Sequence, residues 1–163
     1  MTTSRYMGHG MKQRDLVRMS KEEIDAFLRE RNTATLCTLF PDGSVHAVGM
    51  WYGFLDGDIA MESKAKAQKV LNLRRDPRVT VLIETGETYE QLRGVSLIGA
   101  GEIVDDPERL FEVGVSMYSR YFAPYTEEAK PAVEALMRKR VAIRVKPRRV
   151  ISWDHRKLGL PPT

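Results

Sequence analysis

The period of apolar positions changes several times along the chain. Ser20 stands three residues before Glu23, and Ile24, Phe27 and Leu28 follow at helical spacing. That is a reciprocal cap followed by an apolar stripe, and it predicts a first helix of about three turns. From Thr33 the texture becomes β-rich, with a strand over 35–40. Pro41-Asp42-Gly43-Ser44 is a turn, because proline presets φ and glycine accepts a positive one. A second strand follows over 45–54, kinked at Gly49 or Gly53. Asp56-Gly57 makes another hairpin turn into a third strand over 59–61, giving an antiparallel meander.

The next stretch, 64–75, is helical in pattern. Val70, Leu71 and Leu73 face a core, Lys66, Lys69 and Arg74 face out, and Asp76-Pro77 stops the helix. A strand over 78–84 and a polar loop over 85–93 lead into a long strand over 94–104. Gly99 and Gly101 interrupt that strand where a barrel corner turns. Asp105-Asp106-Pro107-Glu108 opens a helix that runs to about 122. Pro124 and Tyr125 break it, and a further helix spans 127–140. Two closing strands, 141–145 and 150–153, and an extended tail over 158–162 complete the chain. Residues 1–18 read as a polar leader without a period, mobile or draped over a partner subunit, and 19–163 as one domain. The fold class is mainly β with flanking helices, the strands antiparallel and closing into a barrel.

Composition narrows the classes. The length of 163 residues suits one core, and 42% hydrophobic residues exclude a wholly disordered chain. The net charge of +4 is mild and suits an anionic small molecule. The chain lacks the basic stripe with interleaved aromatics of a nucleic-acid binder, so no nucleic-acid partner is expected. Cys37 is the single cysteine, which excludes an intrachain disulfide. No apolar run suits a bilayer or a secretory h-region, so the expectation is a cytoplasmic protein with no membrane partner. His9, His46 and His155 are scattered, and no metal site is expected. The glycine-rich dinucleotide fingerprint, the P-loop and the helical zinc motif are all missing.

The segment 61–79 holds the most chemistry. A strand end delivers the hydroxyl of Ser63 to a helix start, where amides are unpaired and the dipole is positive. Lys64, Lys66 and Lys69 follow. Hydroxyl, amides and lysines together make a phosphate seat. The plainer alternative is a solvated lysine-rich helix face.

The run Lys69-x-x-Asn72-Leu73-Arg74-Arg75-Asp76-Pro77-Arg78-Val79, with the turns Pro41-Asp42-Gly43 and Asp56-Gly57-Asp58, resembles the pyridoxamine-phosphate-oxidase-like flavin-binding family. Arg93-Gly94-Val95, Gly99, Gly101 and Asp105-Asp106-Pro107 are similar to the actinobacterial branch that uses the deazaflavin coenzyme F420. The resemblance covers about 20–153. It implies a split β-barrel homodimer with two cofactor sites at the subunit interface, taking coenzyme F420 or, alternatively, flavin mononucleotide (FMN). It implies that Ser63, Lys66 and Lys69 hold the cofactor phosphate and that Val48, Gly49, Met50 and Trp51 flank the ring. Met61, Glu62, Lys64 and Asn72 complete the candidate cofactor-binding set. Family members often carry an arginine two residues before the lysine; here that position is Ala67, with Lys64 or Lys66 as the expected replacement.

Trp51 and Tyr52 point to opposite faces of a strand, with packing the expected role of each. Cys37 is expected as a buried small hydrophobe. Met117, Tyr118, Tyr121 and Phe122 pack a dimer or shape a lid, and Tyr89-Glu90 is a solvated loop tip. Trp153 is expected to reach the partner subunit's site, as the family implies. No acid–base constellation stands out, which suits a protein whose cofactor carries the chemistry. The expected activity is hydride transfer from reduced deazaflavin to a small organic acceptor. An FMN flavoprotein and a non-catalytic cofactor-binding protein are the alternatives.

Overall fold

The structure is a computed structural model, and it describes residues 12–162. In chain order the elements are α1 (Gln13–Leu16), α2 (Lys21–Glu30), β1 (Thr33–Leu39), β2 (Val45–Trp51), β3 (Gly53–Leu55) and β4 (Asp58–Lys64). Then come α3 (Gln68–Arg75), β5 (Arg78–Thr85), β6 (Arg93–Val104), α4 (Pro107–Tyr121), α5 (Lys130–Met137) and β7 (Arg140–Asp154).

One seven-stranded sheet runs in the order β2-β1-β5-β6-β7-β4-β3, with every pairing antiparallel. The two edge strands, β2 and β3, are consecutive in the chain and separated by Tyr52 alone. Adjacent Cα atoms are about 3.8 Å apart, so the two edges of the sheet must come together at that residue. The sheet therefore curls on itself, and because β2 and β3 do not pair, the barrel is split.

The expected single strand over 45–54 is thus two strands. The break at Tyr52 is made from α4. The Tyr52 amide donates to the Tyr121 hydroxyl at 2.9 Å, and its carbonyl accepts from Arg120 Nε at 2.8 Å. Both backbone groups that would continue a ladder are taken. The Tyr52 ring is fully buried, and its hydroxyl donates to the carbonyls of Leu28 (2.6 Å) and Arg31 (2.8 Å).

Alternate residues of each strand fill the barrel: Ala34 and Leu36 of β1, Val79, Val81 and Ile83 of β5, Val141, Ile143 and Val145 of β7. A second cluster joins Val113, Met117 and Met137 of the two later helices to Leu55, Ala60, Val104 and Ala142 on the outer wall. The caps form as the sequence predicts. Ser20 and Glu23 make the reciprocal box, and the Asp106 side chain accepts from the Arg109 amide ahead of Pro107.

Several boundaries move. The helix expected over 64–75 begins only at Gln68, with Ala67 as N-cap. Ser63 consequently lies inside β4 rather than at a helix start. The helix expected over 127–140 is one turn of 3-10 helix at Glu127–Ala129 and then α5, ending at Met137. The two closing strands are one, β7, because a register shift opposite Ile98 and Gly99 admits Pro147 and the extra residue Arg148. A Cβ on Gly99 would stand 2.0 Å from the Lys146 carbonyl oxygen, so glycine is required at that bend. Residues 155–158 of the tail form a further 3-10 turn.

Residues 1–11 of the expected leader lie outside the described residues. The remainder is docked: Val17 is buried, its carbonyl accepts from the Asp154 amide at 2.7 Å, and the Met19 amide donates to Ser152 Oγ at 3.1 Å. Among the described residues no helix is long and apolar enough to cross a membrane.

Candidate functional site

A cavity of about 400 Å3 lies where β2, the end of β4, the start of α3 and the start of β7 meet. Gly49, Met50, Trp51, Glu62, Ser63, Lys64, Ala67, Lys69 and Arg140 line it. Seven of these belong to the set expected from sequence: Gly49, Met50, Trp51, Glu62, Ser63, Lys64 and Lys69. They come from β2, β4 and α3, which the curl of the sheet brings together.

The alternation of β4 sorts its residues. Glu62 and Lys64 share one face, directed at the cavity. Met61 points into the barrel and is fully buried. Ser63 is buried as well, and its hydroxyl donates only to the Lys64 carbonyl at 3.3 Å. No side chain caps the start of α3, and Ala67 and Lys69 there line the cavity. The remaining candidates lie elsewhere. Val48 packs against the barrel core. Lys66 lines a neighbouring trough with Lys64, Arg138, Lys139 and Arg140. Asn72 is wholly buried; its Oδ1 accepts from Gln68 Nε2 at 2.8 Å and its Nδ2 donates to Thr38 Oγ1 at 3.1 Å.

Arg140 was not among the candidates, because the sequence pattern ran a helix through it. It is the first residue of β7 and stands directly across from Lys64. It thereby brings a guanidinium to a cavity where Ala67 supplies none. A pattern of residue types does not reveal this; a cross-strand register does. Arg140 Nη1 lies 2.8 Å from Glu62 Oε2. The approach is too oblique for a hydrogen bond, so that buried oxygen accepts none. Among the described residues Lys64, Lys66 and Lys69 have no acidic partner.

Trp51 forms the opposite wall. It is 51% exposed, not packed in the core, and it stacks on Tyr121 with ring centroids 4.4 Å apart and planes 3° from parallel. Phe122, 62% exposed, meets its edge at 6.5 Å. A flat aromatic shelf thus adjoins a cationic recess.

Other expectations are altered. Cys37 is half-buried rather than buried, and lines a separate hollow on the outer face of β1; burial pushes its thiol pKa up, which disfavours the thiolate. Glu90 is buried, and its carboxylate accepts from Thr88 Oγ1 at 2.7 Å, so of the pair Tyr89-Glu90 only Tyr89 is exposed. Trp153 lies within β7 opposite Gly94, and a Cβ on Gly94 would meet its indole at 2.1 Å.

An antiparallel split barrel with a basic cavity beside an exposed aromatic shelf is the class these elements define. The chain belongs to the pyridoxamine 5'-phosphate oxidase family, whose model matches residues 20–154. It is similar to the conserved hypothetical protein Rv2991 from Mycobacterium tuberculosis, at 54% identity, with 94% of this chain and 96% of that chain covered and a TM-score of 0.90. An F420 reductase matches at 28% identity over 77% of this chain and 94% of that chain, with a TM-score of 0.58. HutZ, the haem storage protein from Vibrio cholerae, shares the fold at 16% identity, with 81% and 94% covered and a TM-score of 0.63. No curated protein matches the chain.

Proposed function

We propose that the protein is an oxidoreductase that binds coenzyme F420 and passes a hydride from the reduced deazaflavin to a small organic acceptor. The observation that carries this reading is the pairing of Lys64 with Arg140, directly opposite on β4 and β7 at the cavity. Like charges in that position are destabilising unless something anionic offsets them. Glu62 offsets only part, and Lys69 adds a further cation beside the uncapped start of α3. A phosphate of the cofactor fits that donor set, held by charge-assisted hydrogen bonds.

When bound, the deazaflavin supplies the hydride chemistry. The chain's own residues bind and orient it. Lys64, Lys69 and Arg140 anchor the phosphate. The Gly49-Met50-Trp51 stretch of β2 flanks the ring, and nothing lies within 4 Å of where a Gly49 side chain would begin, so that wall is open to a flat ligand. The shelf of Trp51 and Tyr121 offers a face for stacking and keeps water from one side. The 28% identical F420 reductase supports the choice of cofactor.

In this reading the protein works as a homodimer with the cavity at the interface. Val45 and Trp51 on the edge strand β2 are 60% and 51% exposed. The outer face carries a hollow of about 390 Å3 lined in part by Cys37, Leu39, Val45, Val79 and Ile98, which a second copy would cover. Light scattering that returns a monomer at micromolar concentration rejects the interfacial site.

Side-by-side fluorescence titration of the apo-protein with coenzyme F420 and FMN tests the cofactor. Tighter binding of F420, followed by consumption of reduced F420 with an acceptor, is the expected result. Tighter binding of FMN moves the assignment to the flavin, and cofactor binding without turnover in a broad acceptor panel moves it to a non-catalytic carrier.

A further inference from the structure

One carboxylate sits in an otherwise cationic recess. Glu62 and Lys64 share a face of β4, and their direct partners on β7 are Ala142 and Arg140. The Ala142 methyl is too short to engage Glu62, so the carboxylate reaches diagonally to Arg140, 2.8 Å away. The side chains are 19% and 31% exposed, which limits screening by water and salt. Glu62 Oε2 keeps an unused lone pair in this buried position. Phosphate oxygens are acceptors too, so that lone pair repels them.

We propose that Glu62 sets the charge of the phosphate this cavity accepts, favouring a singly charged phosphodiester over a doubly charged phosphomonoester. The inference rests on the reading of the cavity as a phosphate seat. Lys64, Lys69 and Arg140 bring three positive charges to the lining, and Glu62 removes one. Attraction to the cations grows in proportion to the ligand's charge. The cost of taking that charge out of water grows with its square in the Born picture. Lowering the positive potential therefore penalises the dianion more than the monoanion. A phosphomonoester carries about −1.5 to −2 charges at neutral pH, while a diester carries a single one. Glutamine at this position keeps the shape and removes the filter.

The test compares ligands that differ only at phosphorus. FMN and its phosphate methyl ester form one pair; the phosphomonoester of the deazaflavin riboside and its phosphate methyl ester form the other. The native protein and Glu62→Gln are titrated with each by fluorescence at fixed ionic strength and mildly alkaline pH, with the thermal midpoint as a check on folding. In the native protein the diester of a pair should bind at least as tightly as the monoester. In Glu62→Gln the monoester should gain about tenfold, equivalent to about 1.4 kcal/mol, and the diester about a third of that factor. Native preference for the monoester overturns the proposal without recourse to the variant. Equal gains for both forms overturn the filter and leave the phosphate seat standing. Failure of both rings to bind the native protein overturns the reading of the cavity, and the filter with it.

Discussion

Trp51 and Tyr121 lie face to face although they are far apart in sequence, and the Tyr121 hydroxyl also accepts the Tyr52 amide that ends β2. One side chain of α4 therefore sets both the break between the edge strands and the orientation of the exposed indole beside the cavity. Arg120 reinforces it, donating to the Tyr52 carbonyl and lying 4.7 Å from the centroid of the Tyr52 ring. The shelf is thus positioned from the helical layer, while Lys64 and Arg140 are positioned by the sheet.

Trp51→Ala should separate binding from folding. The indole is half-exposed, and an aromatic pair contributes about 0.5–1.5 kcal/mol beyond its buried area. The thermal midpoint should fall by only a few degrees, whereas ring affinity should drop about tenfold. Unchanged titration curves for F420 and FMN would remove Trp51 from the site.

Lys69→Ala should weaken cofactor binding by about tenfold to a hundredfold, since a charge-assisted hydrogen bond contributes roughly 1.5–3 kcal/mol. Its stability should change by less than about 0.5 kcal/mol, because the ammonium has no partner among the described residues. Lys64→Ala serves as the companion measurement. Loss with Lys64→Ala alone moves the anchor onto β4, and normal binding by both variants at low and moderate salt places the phosphate elsewhere.

Tyr52 gives a pH signature on the alkaline side. Burial pushes its phenol up to about 12 from the ordinary 10. The folded state thus favours the protonated form. The contribution is complete below pH 10 and is lost as pH rises through 12, amounting to at most about 2–3 kcal/mol. Tyr52→Phe should be less stable at neutral pH by about 1–3 kcal/mol, from the Leu28 carbonyl left without its donor; the Arg31 carbonyl keeps Arg120. The gap between native and variant should narrow above pH 10. Urea midpoints measured from pH 8 to 12 check this, and a constant gap would disprove it.

Gly99→Ala should be severe. The added methyl carbon collides with the Lys146 carbonyl oxygen at the bend that admits Pro147. Backbone must move, and a loss of about 2–4 kcal/mol is expected. Gly43→Ala is a useful contrast: nothing lies within 4 Å of its would-be Cβ, and only the positive φ of 86° opposes it. Its loss should be about 1 kcal/mol. Comparable thermal shifts for the two variants would contradict the collision.

The local features were legible because their physics is local. The capping box of Ser20 and Glu23, the Asp106 cap before Pro107, and the turns at Gly43 and Gly57 each depend on residues within a few positions. The lysines of 64–69 could be read as a candidate phosphate seat for the same reason, since they lie within one short segment. Ser63 was misjudged because helix propensity near 64–67 gave way to pairing of β4 with β7, which keeps Lys64 in the ladder.

By itself, the sequence determined the helix caps at Ser20 and Asp106, the tight turns, the mainly β class and the basic segment beside α3, because short-range sterics and hydrogen bonds decide these. Only the tertiary structure decided that β2 and β3 become opposite edges meeting at Tyr52. It also decided that Arg140 faces Lys64, that Glu62 reaches Arg140, and that Tyr121 holds Trp51 at the surface. Each of these depends on strand register or helix docking between residues tens of positions apart, Tyr121 of α4 making the break at Tyr52. Register follows from the summed burial of whole strands against one another, and no single segment of the chain carries that sum.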